Sequence, residues 1–428
     1  MKPSTIRFVI IIIITFLIGY YAGVSKIAFD WSNFQPSVQV SSKEPPPSVQ
    51  FVDTSRMWDV LQKVETMYYD KSAIDANKML DGAIQGMVAS IGDPYTLYLP
   101  PTQNTNFKQN LAGQFEGIGA ELGQKGKDVV VIAPLDGSPA LKAGIKPGDI
   151  ILGVDNLSIA GEDLNTIVNK IRGPKGTTVT LNIEHKGSTT PIAVKIERDT
   201  ITVNSLTTWT KKVSDIDGID QKADGLSQAG NDKIIYIRLS EFGDNTNSDW
   251  QKLVISVNNQ LKSDKNIKGV VFDLRNNPGG YLNDAINIIS EFVKSGTAVE
   301  QEDGDGKITQ YPVSGKGLLT DVPVVVLINK GSASAAEIVS GGLRDNHRAV
   351  LVGENSFGKG IVEQALDLGG GAGLHVTVAK WLTPNGTWVG NGKDGKGLTP
   401  DYPVQLDPKD PTHDTQLEKA VEVLVTSH

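Results

Sequence analysis

The sequence predicts a multidomain α/β protein, and three observations carry that expectation. Its 428 residues exceed what one small core organises, since a domain takes roughly 100–200 residues. The last third alternates continuous apolar strands with helical stretches, as in a sheet covered on both faces. The middle contains strands of alternating apolar and polar residues, the pattern of half-buried sheet.

Composition removes several function classes. A formal net charge of −8 argues against a protein that wraps nucleic acid, which needs clustered positive charge. The chain has no cysteine, so disulfides, thiolate catalysis and Cys-ligated metals are excluded. Neither the Asp spacing of residues 210–232 nor "EDGDGK" at Glu302 satisfies a calcium loop. No metal and no organic cofactor is expected.

Taken in order, residues 1–7 read as a short cytoplasmic tail and residues 8–24, "FVIIIIITFLIGYYAGV", as a transmembrane anchor. That run is uncharged and near the lower length limit for a bilayer span. Lys2 and Arg7 before it place the N-terminus inside and the remainder outside, at a bacterial periplasm or cell exterior. A cleaved signal peptide is the competing reading, but no small-x-small cleavage site is evident. Residues 25–50, rich in Pro, Ser and Gln, read as a solvated linker.

Residues 51–112 form a helical region. Trp58, Leu61, Val64 and Met67 recur at three-residue steps, then Met79, Leu80, Ile84 and Met87, until the proline of "GDPYT" stops the pattern. Residues 113–200 hold strands such as "TVTLNIEH" and a helical stretch at 164–171. Residues 210–232 are polar, with little to bury, and read as an insertion. In the core, 201–428, "KGVVFDL" leads into "RNNPGG", "VPVVVLI" into "NKGSAS", and "AVLVG" into "ENSFGKG". "DTQLEKAVEVL" reads as an amphipathic helix that packs within the chain or at a homodimer interface.

"GENSFGKG" (353–360) nearly matches a phosphate-binding loop, with Gly353, Gly358 and Lys359 in register. Gly360 stands where a hydroxyl would meet magnesium, and "IVEQALDL" is a poor helix start, so Lys359 does not clamp a phosphate. In "NKGSASAAEIV" a buried strand turns into a helix near Ser334, where free amides favour developing negative charge. Ser332 or Ser334 is then either a nucleophile or a plain helix cap. The "PGG" at 278–280 aims backbone N–H groups closely at a ligand, or is a plain tight turn. None of the histidines makes a convincing base: His347 reads as solvated and His375 as packing. Lysine remains.

These motifs together resemble the C-terminal processing peptidases, or tail-specific proteases. The resemblance runs from "GAIQGMVASIGDPYTLYL" through "FEGIGAEL", "GSPALKAGIKPGDIILGVD", "DLRNNPGG", "NKGSASAAEI" and "SFGKG" to "LTPNG". It implies a crotonase-like α/β protease core, a mostly β PDZ domain and a serine endopeptidase that cuts near protein C-termini. Carried over, Ser334 is the nucleophile and Lys359 the general base. Gly279, with Gly280 beside it, and Ala335 supply oxyanion amides, while Glu337 and Asp345 support the site. Gly117, Ile118, Gly119 and Ala120 correspond to the PDZ loop that binds a substrate's C-terminal carboxylate. Arg172 matches a position that couples peptide binding to the protease.

Lysine as a base carries a physical demand. Its ordinary pKa is about 10.4, so the neutral amine at pH 7 costs roughly 4–5 kcal/mol unless a pocket favours it. Phe357 and the apolar strands are the expected walls. One departure stands out: Glu363 occupies a place where many relatives have Gln, and Gln364 points to the opposite strand face. Four extended residues would set Glu363 about 13 Å from Lys359, so contact needs the flanking glycines to curl the chain. The rival reading is a pseudo-protease, its dyad disabled by Glu363, that binds tails through the PDZ domain.

Overall fold

Val324–Ile328, a five-residue run of Val, Leu and Ile with every side chain buried, is an inner strand of the larger sheet. A computed structural model describes residues 15–16, 27–30, 37–40 and 52–426. Within the last stretch, residues 126–127, 136, 163, 186–187, 189, 203–204, 221, 223–225, 228, 391–396, 408–409 and 411 are not described. The chain divides into two compact units, residues 1–79 and 80–428.

In the first unit, Ile27–Asp30 pairs antiparallel with Ser37–Val40, where a linker without regular structure was expected. Residues 57–91 were expected as one helical pattern. They form two helices, Ser55–Met67 and Ala76–Ala89, separated by a short 3-10 turn at Lys71–Ala73. The first helix ends before an extended Tyr68, and Asp70 caps the turn that follows, its carboxylate accepting the Ser72 amide and hydroxyl. The apolar run at 8–24 lies outside the described residues apart from Thr15 and Phe16. Among the described residues no helix is long and apolar enough to cross a membrane.

The second unit holds two layered domains. In the first, five antiparallel strands run in the order Ile192–Glu197, Thr178–Glu184, Ile150–Val154, Asp128–Pro134, Ala120–Lys125. Thr178–Glu184 buries alternate residues, Val179, Leu181 and Ile183, as its period-two pattern predicts. The helix Leu164–Ile171 packs Ile167 and Ile171 into the same core. Buried Arg198 closes that helix's C-terminal end, donating to the carbonyls of Lys170 and Ile171.

The larger domain is a six-stranded sheet ordered Leu206–Lys212, Lys233–Leu239, Ile267–Asp273, Val324–Ile328, Ala349–Gly353, Tyr402–Pro403. Its first pair is antiparallel and the rest parallel. Period two divides each central strand between two cores. Val270, Phe272, Val326 and Leu351 face the helices Thr246–Ser263, Leu282–Phe292 and Ala335–Asp345. Val271, Val325, Leu327 and Val352 face the helix Thr415–Thr426. That last helix therefore packs within the chain. The polar stretch 210–232 buries more than expected: Val213, Ile216, Leu226 and Ala229 join this second core. Their spacing follows no period, which hid them in the sequence.

A second sheet stands beside the first, ordered Ile308–Pro312, Thr297–Asp303, Ala372–Leu382, Ile361–Gly369, with Leu97–Leu99 pairing to Ala372–Leu382.

Candidate active site

Three loops leave the carboxyl ends of three adjacent parallel strands: "RNNPGG" after Ile267–Asp273, "NKGSAS" after Val324–Ile328, and "ENSFGK" after Ala349–Gly353. Ligands of open α/β sheets gather at that edge. Backbone bonds lace the loops together: Ala333 N–H donates to Asn277 O, and Phe357 N–H to Ser332 O, both at 2.9 Å.

Ser334 caps the helix Ala335–Asp345 with φ +51° and ψ −117°. A non-glycine residue held there stores about 1–3 kcal/mol of strain, which presents its hydroxyl at a sharp strand-to-helix turn. Ser332, by contrast, is fully buried; its hydroxyl donates to Leu274 O (2.8 Å) and accepts Asn329 N–H (3.0 Å). It braces the loop.

Glu337, one turn into the helix, is 1% exposed and accepts four hydrogen bonds. Oε1 takes the Ser356 hydroxyl (2.5 Å) and Gly358 N–H (2.7 Å); Oε2 takes Ser334 N–H and Lys359 N–H, both at 2.9 Å. Burial pushes its carboxyl up, opposed by those donors. The Lys359 backbone is fixed on its other side too: Trp381 Nε1–H donates to Lys359 O (2.8 Å) and Trp388 Nε1–H to Gly360 O (2.7 Å). Any Cβ on Gly360 would collide with Gly390 N, so the position admits only glycine.

The side chain of Lys359 is turned to Glu363, Nζ to Oε2 at 2.6 Å. The chain does curl: Gly358 has φ +91°, and a bulge at Val362/Glu363 shifts the register against Ala372–Leu382. Phe357, expected as a wall, is 52% exposed. The ring over the ammonium is instead Tyr95, with its centroid 5.1 Å from Nζ. Sequence reasoning missed it because Tyr95 lies 264 positions earlier in the chain.

Gly279, at φ +101°, sits against Ser334: a Cβ there would lie 2.7 Å from Ser334 Cβ and 2.9 Å from Ala335 N. Its own N–H donates to Asn277 Oδ1 (2.8 Å) in this conformation. Among the described residues, the amides of Gly280 and Ala335 have no acceptor. Asp345 lies at the opposite end of the helix from Ser334, about 15 Å along its axis, and accepts Asn385 N–H there (3.1 Å). His347 is exposed, while His375 is buried edge-on against Phe107, as expected of both.

In the smaller domain, Ile118 O and Gly119 O accept the amides of Ala140 (2.8 Å) and Leu135 (2.9 Å). The trans peptide then turns Gly119 N–H the other way. Gly117 precedes this turn, and Ala120 opens the strand Ala120–Lys125, which is an edge of its sheet. Arg172 follows the helix Leu164–Ile171, with its guanidinium 5.0 Å from the Phe115 ring centroid. It lines a cleft of about 580 Å³ together with Thr105, Asn106 and Gln109 of the helix Pro101–Leu111.

Family models match most of the chain. A model of peptidase family S41 matches residues 233–404, and a PDZ-domain model residues 116–196. A model of the N-terminal domain of the activating protease CtpB matches residues 13–102. The carboxy-terminal processing protease CtpB of Bacillus subtilis (strain 168) is 34% identical over 396 residues, which is 90% of this chain and 74% of the relative. The chain belongs to the carboxy-terminal processing proteases. A second member of that family, from Bartonella bacilliformis, is 35% identical across 82% of this chain and 75% of its own. Among solved structures, the photosystem II D1 C-terminal processing protease aligns with a TM-score of 0.50 at 30% identity, covering 86% of this chain and 91% of that one. A putative S41 protease from Bacteroides fragilis shares the fold, with a TM-score of 0.53 at 15% identity. The protein is thus a serine peptidase of the carboxy-terminal processing family, with a PDZ domain.

Proposed function

We propose that Ser334 and Lys359 form the catalytic dyad of an endopeptidase that cuts near the C-termini of extracytoplasmic proteins. The observation that carries this reading is the shared carboxylate of Glu337, which fixes the backbones of both residues from one oxygen. Lys359 Nζ leaves Glu363 and, as the neutral amine, takes the Ser334 hydroxyl proton while Oγ bonds the peptide carbonyl carbon. Ala335 N–H and the Gly279–Gly280 turn receive the oxyanion; one such donor is worth about 3–4 kcal/mol. Lys359 then returns the proton to the leaving amine.

The PDZ domain, spanning residues 113–200, takes the substrate's tail as an added strand along Ala120–Lys125. The carboxylate lies against the loop from Gly117 to Ala120, and Arg172 relays occupancy toward the protease. Residues 8–24 anchor the chain in a membrane, with the helical region 51–112 and the core 201–428 on the outer side. The reading is tested by turnover of an unstructured protein with an apolar C-terminus. Cleavage by the full chain and none by Ser334→Ala is expected; equal cleavage by both refutes it.

A further inference from the structure

The wall over Lys359 comes from outside the protease core. Tyr95 belongs to "GDPYT", the turn that ends the second N-terminal helix, and that turn is firmly tied. Asp93 Oδ1 accepts Tyr95 N–H (3.1 Å), Asp93 Oδ2 accepts the Thr96 hydroxyl (2.6 Å), and Thr96 Oγ1 accepts Thr377 N–H (3.1 Å). Thr377 is also the strand partner of Glu363. One residue thus registers both groups that meet the ammonium.

An aromatic face attracts a cation and does little for a neutral amine, whereas a general base must be the amine. The charged and titratable groups around Lys359 point the same way. Glu363 lies on its own hairpin, Glu337 reaches it from the nucleophile helix, and Asp93 sits beneath Tyr95. Burial pushes the imidazole of His375, on the facing strand, down.

We propose that Tyr95 is a positioning residue which, with Glu363, parks the protonated Lys359 away from Ser334, so that the ring sets the pH at which the base is released. The inference rests on the reading of Lys359 as general base. On release the ammonium gives its proton to solvent, and the neutral amine swings to the Ser334 hydroxyl.

The test replaces Tyr95 in the full-length protein by phenylalanine and by its mono-, di- and trifluoro analogues. Fluorine drains the ring's negative face while keeping its shape. Phenylalanine should keep the acid limb of the kcat/KM–pH profile in place. Successive fluorination should move that limb to lower pH, by about 0.4–1.5 units across the series. Tyr95→Leu should move it the same way. A limb that stays fixed across the folded series overturns the proposal, as does a shift to higher pH. Lys359→Ala, assayed in parallel, separates the two readings. Persisting turnover there refutes the base assignment; lost turnover with a fixed limb refutes only the role of Tyr95.

Discussion

Ser334 and Lys359 are joined through a single atom: Glu337 Oε2 accepts the backbone N–H of both, each at 2.9 Å. Their side chains are not hydrogen-bonded to one another here, because Lys359 Nζ is held by Glu363. One carboxylate oxygen thus fixes both backbones, while the lysine side chain is engaged elsewhere.

Glu337→Gln should be far more damaging than its size suggests. All four groups that meet this carboxylate are donors, and an amide would turn its NH₂ against two of them. Each lost bond to a buried charge costs roughly 1.5–3 kcal/mol. We expect kcat to fall about 10²-fold or more with KM little changed. A variant within twofold of wild type in kcat would remove Glu337 from the machinery.

The two serines of "GSAS" should separate cleanly. Ser334→Ala and Lys359→Ala should each abolish proteolysis with the melting temperature preserved, as expected of a proposed nucleophile and base that act as one unit. Ser332→Ala should retain most turnover but lose about 1–3 kcal/mol of stability, because it strands a buried carbonyl and amide. An essential Ser332 with a dispensable Ser334 would reverse the assignment.

Glu363→Gln should raise activity near pH 7. The carboxylate pairs with Lys359 Nζ at 2.6 Å, and an amide weakens that pairing while keeping an acceptor oxygen. The rising limb of the pH–rate profile should move to lower pH. An unchanged profile with lower activity would show that Glu363 orients the lysine rather than charging it.

Asp284 supplies a stability test. Burial, with Asp244 nearby, pushes its carboxyl up to about 6. Below its unfolded value near 4 it is neutral in both states and costs nothing; above about 6 it is charged in both, and the burial cost is complete. Asp284→Asn keeps an oxygen to accept the Asn247 amide. Its melting temperature should gain on wild type as pH rises from 4 to 6, then hold steady. A constant difference from pH 4 to pH 7 would refute the shift.

Capping a substrate tail as the C-terminal amide should weaken its binding to the PDZ domain, on the proposed capture of the carboxylate by backbone N–H groups between Gly117 and Ala120. Calorimetry with matched acid and amide peptides decides this. Equal affinities would dismiss carboxylate recognition by that loop.

Much of this was legible because buried strands announce themselves. The runs ending at Asp273, Ile328 and Gly353 placed three loops at one sheet edge, and with them Ser334, Glu337 and Lys359. The contact between Lys359 and Glu363 depended on a curl that glycines permit but do not dictate. Tyr95, Trp381, Trp388 and Asn277 were not visible, since each acts through a tertiary contact that leaves no local pattern. Phe357 misled for the opposite reason: an apolar residue beside the lysine in sequence points to solvent in space.

Arg275, at the root of the "PGG" turn, is clamped on both sides. Asp273 holds it from within the strand, and Asp414 meets its guanidinium through two bonds of 2.9 Å from the start of the last helix. Tyr95 approaches the same centre from near the other end of the chain. Contacts of such sequence separation close late in folding, since loop entropy is lost before they reward it. Peptidase activity is consequently a late property of the polypeptide. Partly folded copies, with the last helix not yet packed, pass through their most vulnerable stage before any neighbour at the same stage can cleave them.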